Sequence, residues 1–143
     1  MNSQEIQDMN QEYVLGTYAP VLAIAEGQGA RVKDAEGNDF LDFVSGISVC
    51  NIGHCHPTVT AALKEQADKL WHVSNLYVNP IAPQLAKKIS DASFGGRVFF
   101  ANSGAEANEA MIKFARRWGW KNGGRNEIIC MNDSFHGRTL ATL

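Results

Sequence analysis

The stretch from Arg97 to Trp118 constrains the fold of this chain more than any other, because its hydrophobic period changes in the middle. Residues 98–101, Val-Phe-Phe-Ala, form a continuous apolar run after a glycine pair, which predicts a buried strand of a parallel sheet. Beyond a short turn the apolar residues recur at helical spacing; they are Ala107, Ala110, Met111, Phe114, Ala115 and Trp118. The stretch therefore predicts strand, turn and helix, with this apolar face buried. Glu109 and Lys113 lie on the polar face, spaced as an i, i+4 ion pair.

The turn between this strand and helix is predicted to bind an anion. Ser103 and Glu106 have the spacing of a capping box, in which the hydroxyl accepts from the Glu106 amide and the carboxylate accepts from the Ser103 amide. Gly104 and Ala105 then occupy the first turn, where N–H groups lack helical partners and face the positive end of the helix dipole. Their small side chains leave room for a phosphate. The same four residues would also suit a helix start that binds nothing.

A second apolar run, residues 127–131, follows the helix and predicts a second strand. Residues 97–131 would then form a strand–helix–strand unit, and such crossovers join parallel strands. Phe135, His136 and Arg138 follow the second strand as the anion-binding turn follows the first. Because binding sites in open α/β sheets lie beyond the carboxyl ends of strands, we expect the two segments to converge.

Four segments, in order, resemble the class III aminotransferases, and most closely the acetylornithine aminotransferases among them. They are Phe-Leu-Asp-Phe-Val-Ser-Gly-Ile at 40–47 with Gly-His-Cys-His-Pro at 53–57, His-Val-Ser-Asn-Leu-Tyr at 72–77, Asn-Ser-Gly-Ala-Glu-Ala-Asn-Glu-Ala at 102–110, and Ser-Phe-His-Gly-Arg-Thr at 134–139. The resemblance implies an α/β fold, namely the N-terminal part of a fold type I pyridoxal-phosphate-dependent transferase. Residues 1–57 would belong to the small domain with its β-hairpin, and residues 58–143 would begin the large domain with its mainly parallel sheet.

The resemblance also implies a cofactor and a reaction. Pyridoxal 5'-phosphate would place its phosphate at Ser103, Gly104 and Ala105 and its ring against Phe135. Arg138 would grip a substrate carboxylate, because its guanidinium is a planar fork. Without a ligand, Phe135 would be a core aromatic and Arg138 a solvated surface residue. The implied reaction moves an amino group from an acetylornithine- or ornithine-like donor to 2-oxoglutarate, as in arginine biosynthesis. Ornithine, succinylornithine and 4-aminobutyrate aminotransferases stay open as alternatives, as does a non-catalytic phosphate-binding remnant.

One part of the family pattern is missing from these residues. No segment around a lysine resembles the family's Schiff-base lysine motif; the lysines are Lys33, Lys64, Lys69, Lys87, Lys88, Lys113 and Lys121. We therefore expect the chain to be a truncated N-terminal portion of such an enzyme, inactive alone, with no catalytic residue of its own. At full length, the resemblance implies a homodimer.

Composition narrows the function classes. A chain of 143 residues with 45% hydrophobic content can hold one domain with a real core, and its net charge of −2 favours no nucleic-acid partner. No apolar run approaches membrane-spanning length, and the N-terminus lacks signal-peptide features. Three cysteines without a CxxC pair favour a reducing cytoplasm.

No metal is expected at residues 54–56, because adjacent His, Cys and His side chains point in different directions.

The remaining segments give coarser predictions. A β-hairpin is expected from 30–33 and 39–43 around a turn at 34–38. A short helix is expected near 3–13, and another begins at Pro57, a residue that suits the first helical position. A helix over 80–90 is predicted to bury three residues, Ile81, Leu85 and Ile89.

Overall fold

The computed structural model describes all residues from 1 to 143. Its elements in chain order are α1 (Ser3–Tyr13), β1 (Ile24–Gln28), β2 (Arg31–Asp34), β3 (Asp39–Leu41), the single turn α2 (Ser45–Ser48), α3 (Pro57–Ala67), a 3₁₀ turn (Ser74–Leu76), α4 (Ile81–Asp91) and α5 (Gly104–Lys121). The chain divides into two compact units, residues 1–74 and 75–143. The expected boundary between residues 57 and 58 falls within the first unit, and the assignment of the two domains stays a prediction. None of the helices combines the length and the apolar character needed to cross a bilayer.

The first unit contains an antiparallel sheet in the order β1-β2-β3. Gln28 pairs with Arg31 across β1 and β2, and Val32 pairs with Phe40 across β2 and β3, which confirms the predicted hairpin. The β2–β3 turn forms because the Asp34 carboxylate accepts hydrogen bonds from nearby backbone amides, including that of Asn38 at 2.8 Å. Local side-chain acceptors of this kind replace the backbone pairing that a turn lacks.

Helix α1 is joined to the sheet at this turn. Its N-cap, Asn2, forms a capping box with Glu5. The amide of Ser3 donates to Glu36 Oε1 at 2.6 Å, and the Ser3 hydroxyl donates to the other oxygen of the same carboxylate. A carboxylate is favourable at this position because the amino end of a helix carries partial positive charge.

The loop after β3 has an unusual backbone. Four consecutive residues of α2, Ser45 to Ser48, have φ between 47° and 66°, so this turn is left-handed. Left-handed geometry costs roughly 1–2 kcal/mol for each residue that carries a side chain. The Asp42 carboxylate secures the entry to the turn by accepting from the amides of Val44 at 2.8 Å and Ser45 at 2.9 Å. Its other oxygen lies 2.6 Å from His54 Nε2, within hydrogen-bond distance.

The predicted helices form, but their apolar faces stay uncovered. Helix α3 begins at Pro57 as predicted, and α4 spans Ile81–Asp91. The prediction that α4 buries Ile81, Leu85 and Ile89 is wrong, because all three side chains are exposed. The only extensive contacts between elements are those between neighbouring strands, so no element covers this helix.

The prediction of a real hydrophobic core is also wrong. Ala23 is the one hydrophobic residue that is buried, and no large side chain is fully buried. On α5 the predicted inward face is open to solvent, with Phe114 65% and Trp118 63% exposed. Apolar periodicity identifies surface that favours burial, but burial requires a second surface, and residues 1–143 do not supply one here.

The predicted strands at 98–101 and 127–131 are wrong for a related reason. Neither segment has strand geometry with a hydrogen-bonded neighbour, and the sheet contains β1, β2 and β3 alone. A strand exists only where backbone N–H and C=O groups pair with an adjacent chain segment. Of the predicted strand–helix–strand unit, the structure forms the helix, α5.

Candidate functional site

The amino end of α5 has the features that an anion site needs. Ser103 is the N-cap, and its hydroxyl accepts from the Glu106 amide at 3.2 Å. The Glu106 carboxylate accepts from the amide of Asn102 at 2.7 Å, one residue earlier than the predicted capping box required. A Cβ added at Gly104 would meet no atom within 4 Å, so the space beside the first turn is open. With the Glu106 amide bonded to Ser103, the amides of Gly104 and Ala105 are the first-turn N–H groups left to face a ligand.

The loop of residues 134–142 packs against this same helix end. Gly137 is buried with φ of 141°, and a Cβ placed on it would lie 2.8 Å from Ala105 Cβ and 3.0 Å from Ala105 Cα. Only glycine permits so close a backbone approach in this conformation. Arg138 follows Gly137 directly and Phe135 precedes it by two residues, so both belong to the loop that approaches the first turn of α5. The expected convergence of the two segments occurs without the expected sheet.

Two polar side chains on the second turn of α5 fasten the loop. Asn108 Nδ2 donates to the carbonyl oxygen of His136 at 2.6 Å. Glu109 Oε1 accepts from the Thr139 hydroxyl at 2.5 Å and from the Ala141 amide at 3.2 Å. The Thr139 hydroxyl, followed by the Ala141 amide, holds the pKa of the Glu109 carboxyl below its usual value.

The predicted ion pair between Glu109 and Lys113 is wrong. No contact within salt-bridge distance joins them, because the carboxylate is turned toward the loop. Lys113 acts on the Glu109 pKa only through a weaker charge interaction.

A tight turn ends the loop. The Thr139 amide donates to Thr142 Oγ1 at 3.0 Å, and the Thr142 amide donates back to the Thr139 carbonyl at 3.1 Å. Thr142 is buried, with 5% of its surface exposed. These bonds satisfy polar groups that would otherwise be buried without partners, and they give the loop a defined path after Arg138.

The predicted site residues differ in how far they are exposed to solvent. Ser103, Gly104 and Arg138 are exposed, and Ala105 is half-buried. Phe135 is 74% exposed, which rules out a role as a core aromatic within this chain.

Sequence reasoning missed Asn108 and Glu109 as site residues. It placed both on a polar, solvent-facing side of the helix, whereas both are half-buried under the loop. A signal was present, because Ala105, Asn108, Glu109 and Ile112 share the spacing i, i+3, i+4 and i+7 of one helical face. Their mixed small and polar character hid that face from a search for apolar periodicity.

A family model described as Aminotransferase class-III matches residues 15–143. The chain belongs to the class III aminotransferases.

Three relatives illustrate the range of the similarity. The chain is 53% identical over 136 residues to an acetylornithine aminotransferase of Caldanaerobacter subterraneus subsp. tengcongensis, covering 92% of this chain and 34% of that protein. The crystal structure of ornithine aminotransferase from Toxoplasma gondii superimposes with a TM-score of 0.92 at 33% identity, covering 99% of this chain and 35% of that one. Taurine:2-oxoglutarate aminotransferase from Bifidobacterium kashiwanohense, solved with PLP and glutamate, gives 0.89 at 32% identity, covering 99% and 32%.

These comparisons confirm the predicted fold class at the level of the family. Helices with a small antiparallel sheet match one portion of several aminotransferase structures. The chain spans about a third of the length of the curated relatives it matches. The expected cofactor, pyridoxal phosphate, is confirmed as that of the family.

Proposed function

We propose that this chain supplies the cofactor-phosphate site and the substrate-carboxylate site of an aminotransferase. The enzyme would move an amino group from an acetylornithine- or ornithine-like donor to 2-oxoglutarate, in the manner of arginine biosynthesis. One observation carries the proposal: Gly137 packs on Ala105, so the loop bearing Phe135 and Arg138 lies against the helix end that suits a phosphate.

The residues present fit pyridoxal phosphate. The open space at Gly104 and the N–H groups of Gly104 and Ala105 suit its phosphate, which the helix dipole also favours. The Ser103 hydroxyl accepts from Glu106 and keeps its own proton to donate to a phosphate oxygen. The exposed ring of Phe135 is available to lie against the pyridine ring. When bound, pyridoxal phosphate supplies an electron sink for chemistry at the substrate amine carbon.

Arg138 supports a carboxylate substrate. Its guanidinium can form two parallel hydrogen bonds with the carboxylate of an amino acid or keto acid, and this geometry orients the substrate as well as binding it. The three relatives named above act, by their names, on acetylornithine, ornithine and taurine. We favour acetylornithine because the 53% identical relative carries that name. Ornithine, succinylornithine and 4-aminobutyrate are the alternative donors.

We further propose that the enzyme is a cytoplasmic homodimer and that residues 1–143 do not turn over alone. The second statement rests on the seven lysines, none of which lies in a segment that resembles the Schiff-base motif. A non-catalytic phosphate-binding remnant is the competing function. It would bind inorganic phosphate as well as pyridoxal phosphate and would have no need of Phe135 or Arg138.

The cofactor site is tested by titrating the chain with pyridoxal phosphate and with inorganic phosphate. Gly104→Val should weaken both ligands at least tenfold, because the branched side chain fills the space beside the first turn. Gly16→Val is the matched control, since Gly16 also has open space and no left-handed backbone. The two variants should share similar thermal stability. A Gly104→Val chain that binds both ligands normally would refute the phosphate site.

The substrate site is tested in a chimera in which residues 1–143 replace the matching part of the Caldanaerobacter enzyme. The chimera should transaminate acetylornithine with 2-oxoglutarate. Arg138→Lys keeps the charge but loses the two-point grip, so we expect KM to rise about ten- to a hundredfold. Cofactor binding should stay normal. Unchanged KM values for donor and acceptor would remove Arg138 from the substrate site.

A further inference from the structure

We propose that Asn108 and Glu109 are positioning residues that hold the Phe135–Arg138 loop over the phosphate site. This inference rests on the proposed function and deepens it. Together these two side chains are called the clamp. The clamp lies one helical turn behind Gly104 and Ala105, so one rigid helix carries both the phosphate site and the anchor of the loop.

The three hydrogen bonds of the clamp bracket Arg138 in the chain. Asn108 holds the carbonyl of His136 on one side, and Glu109 holds Thr139 and Ala141 on the other. Between these anchors, Gly137 is pressed against Ala105. The backbone on both sides of Arg138 is therefore tied to α5, which limits where its side chain can reach. Phe135 precedes the first anchor by one residue and is placed by the same bond.

The loop depends on such bonds because it has no regular structure of its own. Residues 134–137 lie in neither a helix nor a strand. The exposure of Phe135 shows that apolar packing does not fix this segment. Hydrogen bonds to a charged carboxylate are about twice as strong as bonds between neutral groups, so Glu109 is the stronger half of the clamp.

This arrangement predicts a separation of two binding properties. Inorganic phosphate needs only the helix end at residues 103–105, whereas pyridoxal phosphate also needs Phe135 beside its ring. Loosening the clamp should therefore reduce the preference for pyridoxal phosphate over inorganic phosphate. A residue that served stability alone would affect both ligands equally or neither.

The experiment measures dissociation constants for both ligands in the 143-residue chain carrying Glu109→Gln or Asn108→Asp. Both changes preserve side-chain shape; the first removes the charge and the second turns the Nδ2 donor toward His136 into an acceptor. We expect pyridoxal phosphate to bind about tenfold more weakly in each variant, with inorganic phosphate changed by less than about twofold. The Ala141 amide should exchange faster with solvent in Glu109→Gln. Glu127→Gln, at an exposed residue, is the matched control.

The two dissociation constants and the thermal stability together distinguish the clamp from a purely structural role and from failure of the proposed function. Variants that keep the wild-type preference for pyridoxal phosphate would overturn the clamp while leaving the proposed function intact. Parallel loss of both ligands with lower thermal stability would also overturn it, by making the residues structural. If the unmodified chain binds neither ligand, the proposed function fails, and the clamp as a cofactor-positioning device fails with it.

Discussion

Loops are stabilised differently in two regions of the chain, residues 24–55 and residues 103–142. In the first region, backbone hydrogen bonds of a sheet carry most of the structure, and an added backbone pair joins Gly29 to His54 at 2.9 Å and 2.8 Å. In the second region a single helix holds an irregular loop through two side chains, Asn108 and Glu109. A change in the first region should therefore disturb a cooperative unit, whereas a change in the second should release one loop.

The first region contains a strained backbone segment. The left-handed turn at 45–48 follows directly from the sheet, and Asp42 and His54 tie its start to the strand pairing of Gly29. Strained segments of this kind persist only when the surroundings over-determine them. In the second region the loop meets the start of α5 at the close approach of Gly137 to Ala105. The comparison can be tested at the glycines that make these close approaches possible.

The largest effect is expected from Gly53→Ala. Gly53 has φ of 88°, and an added Cβ would lie 2.9 Å from Gly29 Cα and 3.0 Å from its carbonyl carbon and oxygen. Backbone strain and overpacking together should lower the free energy of unfolding of the first unit by roughly 2–4 kcal/mol. Gly29→Ala is the control, since Gly29 is left-handed but has no atom within 4 Å of an added Cβ. Equal losses in denaturant unfolding would show that crowding at Gly53 contributes nothing.

A smaller and more local effect is expected from Gly137→Ala. The new methyl group would collide with Ala105 and Thr142, so the loop should separate from α5 at a cost of roughly 1–3 kcal/mol to the closed loop. Amides of residues 139–142 should exchange faster, while those of the three strands should not change. Gly124→Ala provides a left-handed control with open space. Faster exchange across the strands as well would contradict the contrast between the two regions.

The smallest expected effect is the loss of loop stability at acid pH, and it compares one carboxylate in each region. The pKa of Asp42 is lowered chiefly by His54 and by the amides of Ser45 and Val44, and that of Glu109 chiefly by Thr139 and the Ala141 amide. Each carboxylate therefore stabilises its loop above the unfolded value, near 3.8 for Asp and 4.5 for Glu, and this contribution is lost as pH falls through the lower folded pKa.

The measurement is amide exchange from pH 7 to pH 3, corrected for the intrinsic rate. Protection of Ser45 and of Ala141 should hold constant down to about pH 5 and then decline, with Asp42 and Glu109 as the respective causes. Asp42→Asn and Glu109→Gln should each abolish the decline at their own loop alone. A decline centred above pH 6 at either amide would assign it to a different group.

Several parts of the fold could be predicted because their causes are local. Ser103 caps a helix that begins at Gly104, Pro57 begins another, and the turn at 34–38 closes a hairpin. In each case the residues that form the bonds lie within a few positions of one another. The candidate site residues at 103–105, 135 and 138 could be proposed from the same local patterns together with a family resemblance, and their roles stay predictions.

The amino-acid sequence by itself determined where helices and turns begin, since caps, prolines and Asx side chains act on their own neighbourhood. Tertiary structure decided which surfaces meet. It left the apolar face of α5 exposed, gave residues 98–101 and 127–131 no strand partner, and engaged Asn108 and Glu109 with the loop. The physical reason is that strand pairing and burial each need a partner distant in sequence, and a periodic pattern describes only one of the two surfaces.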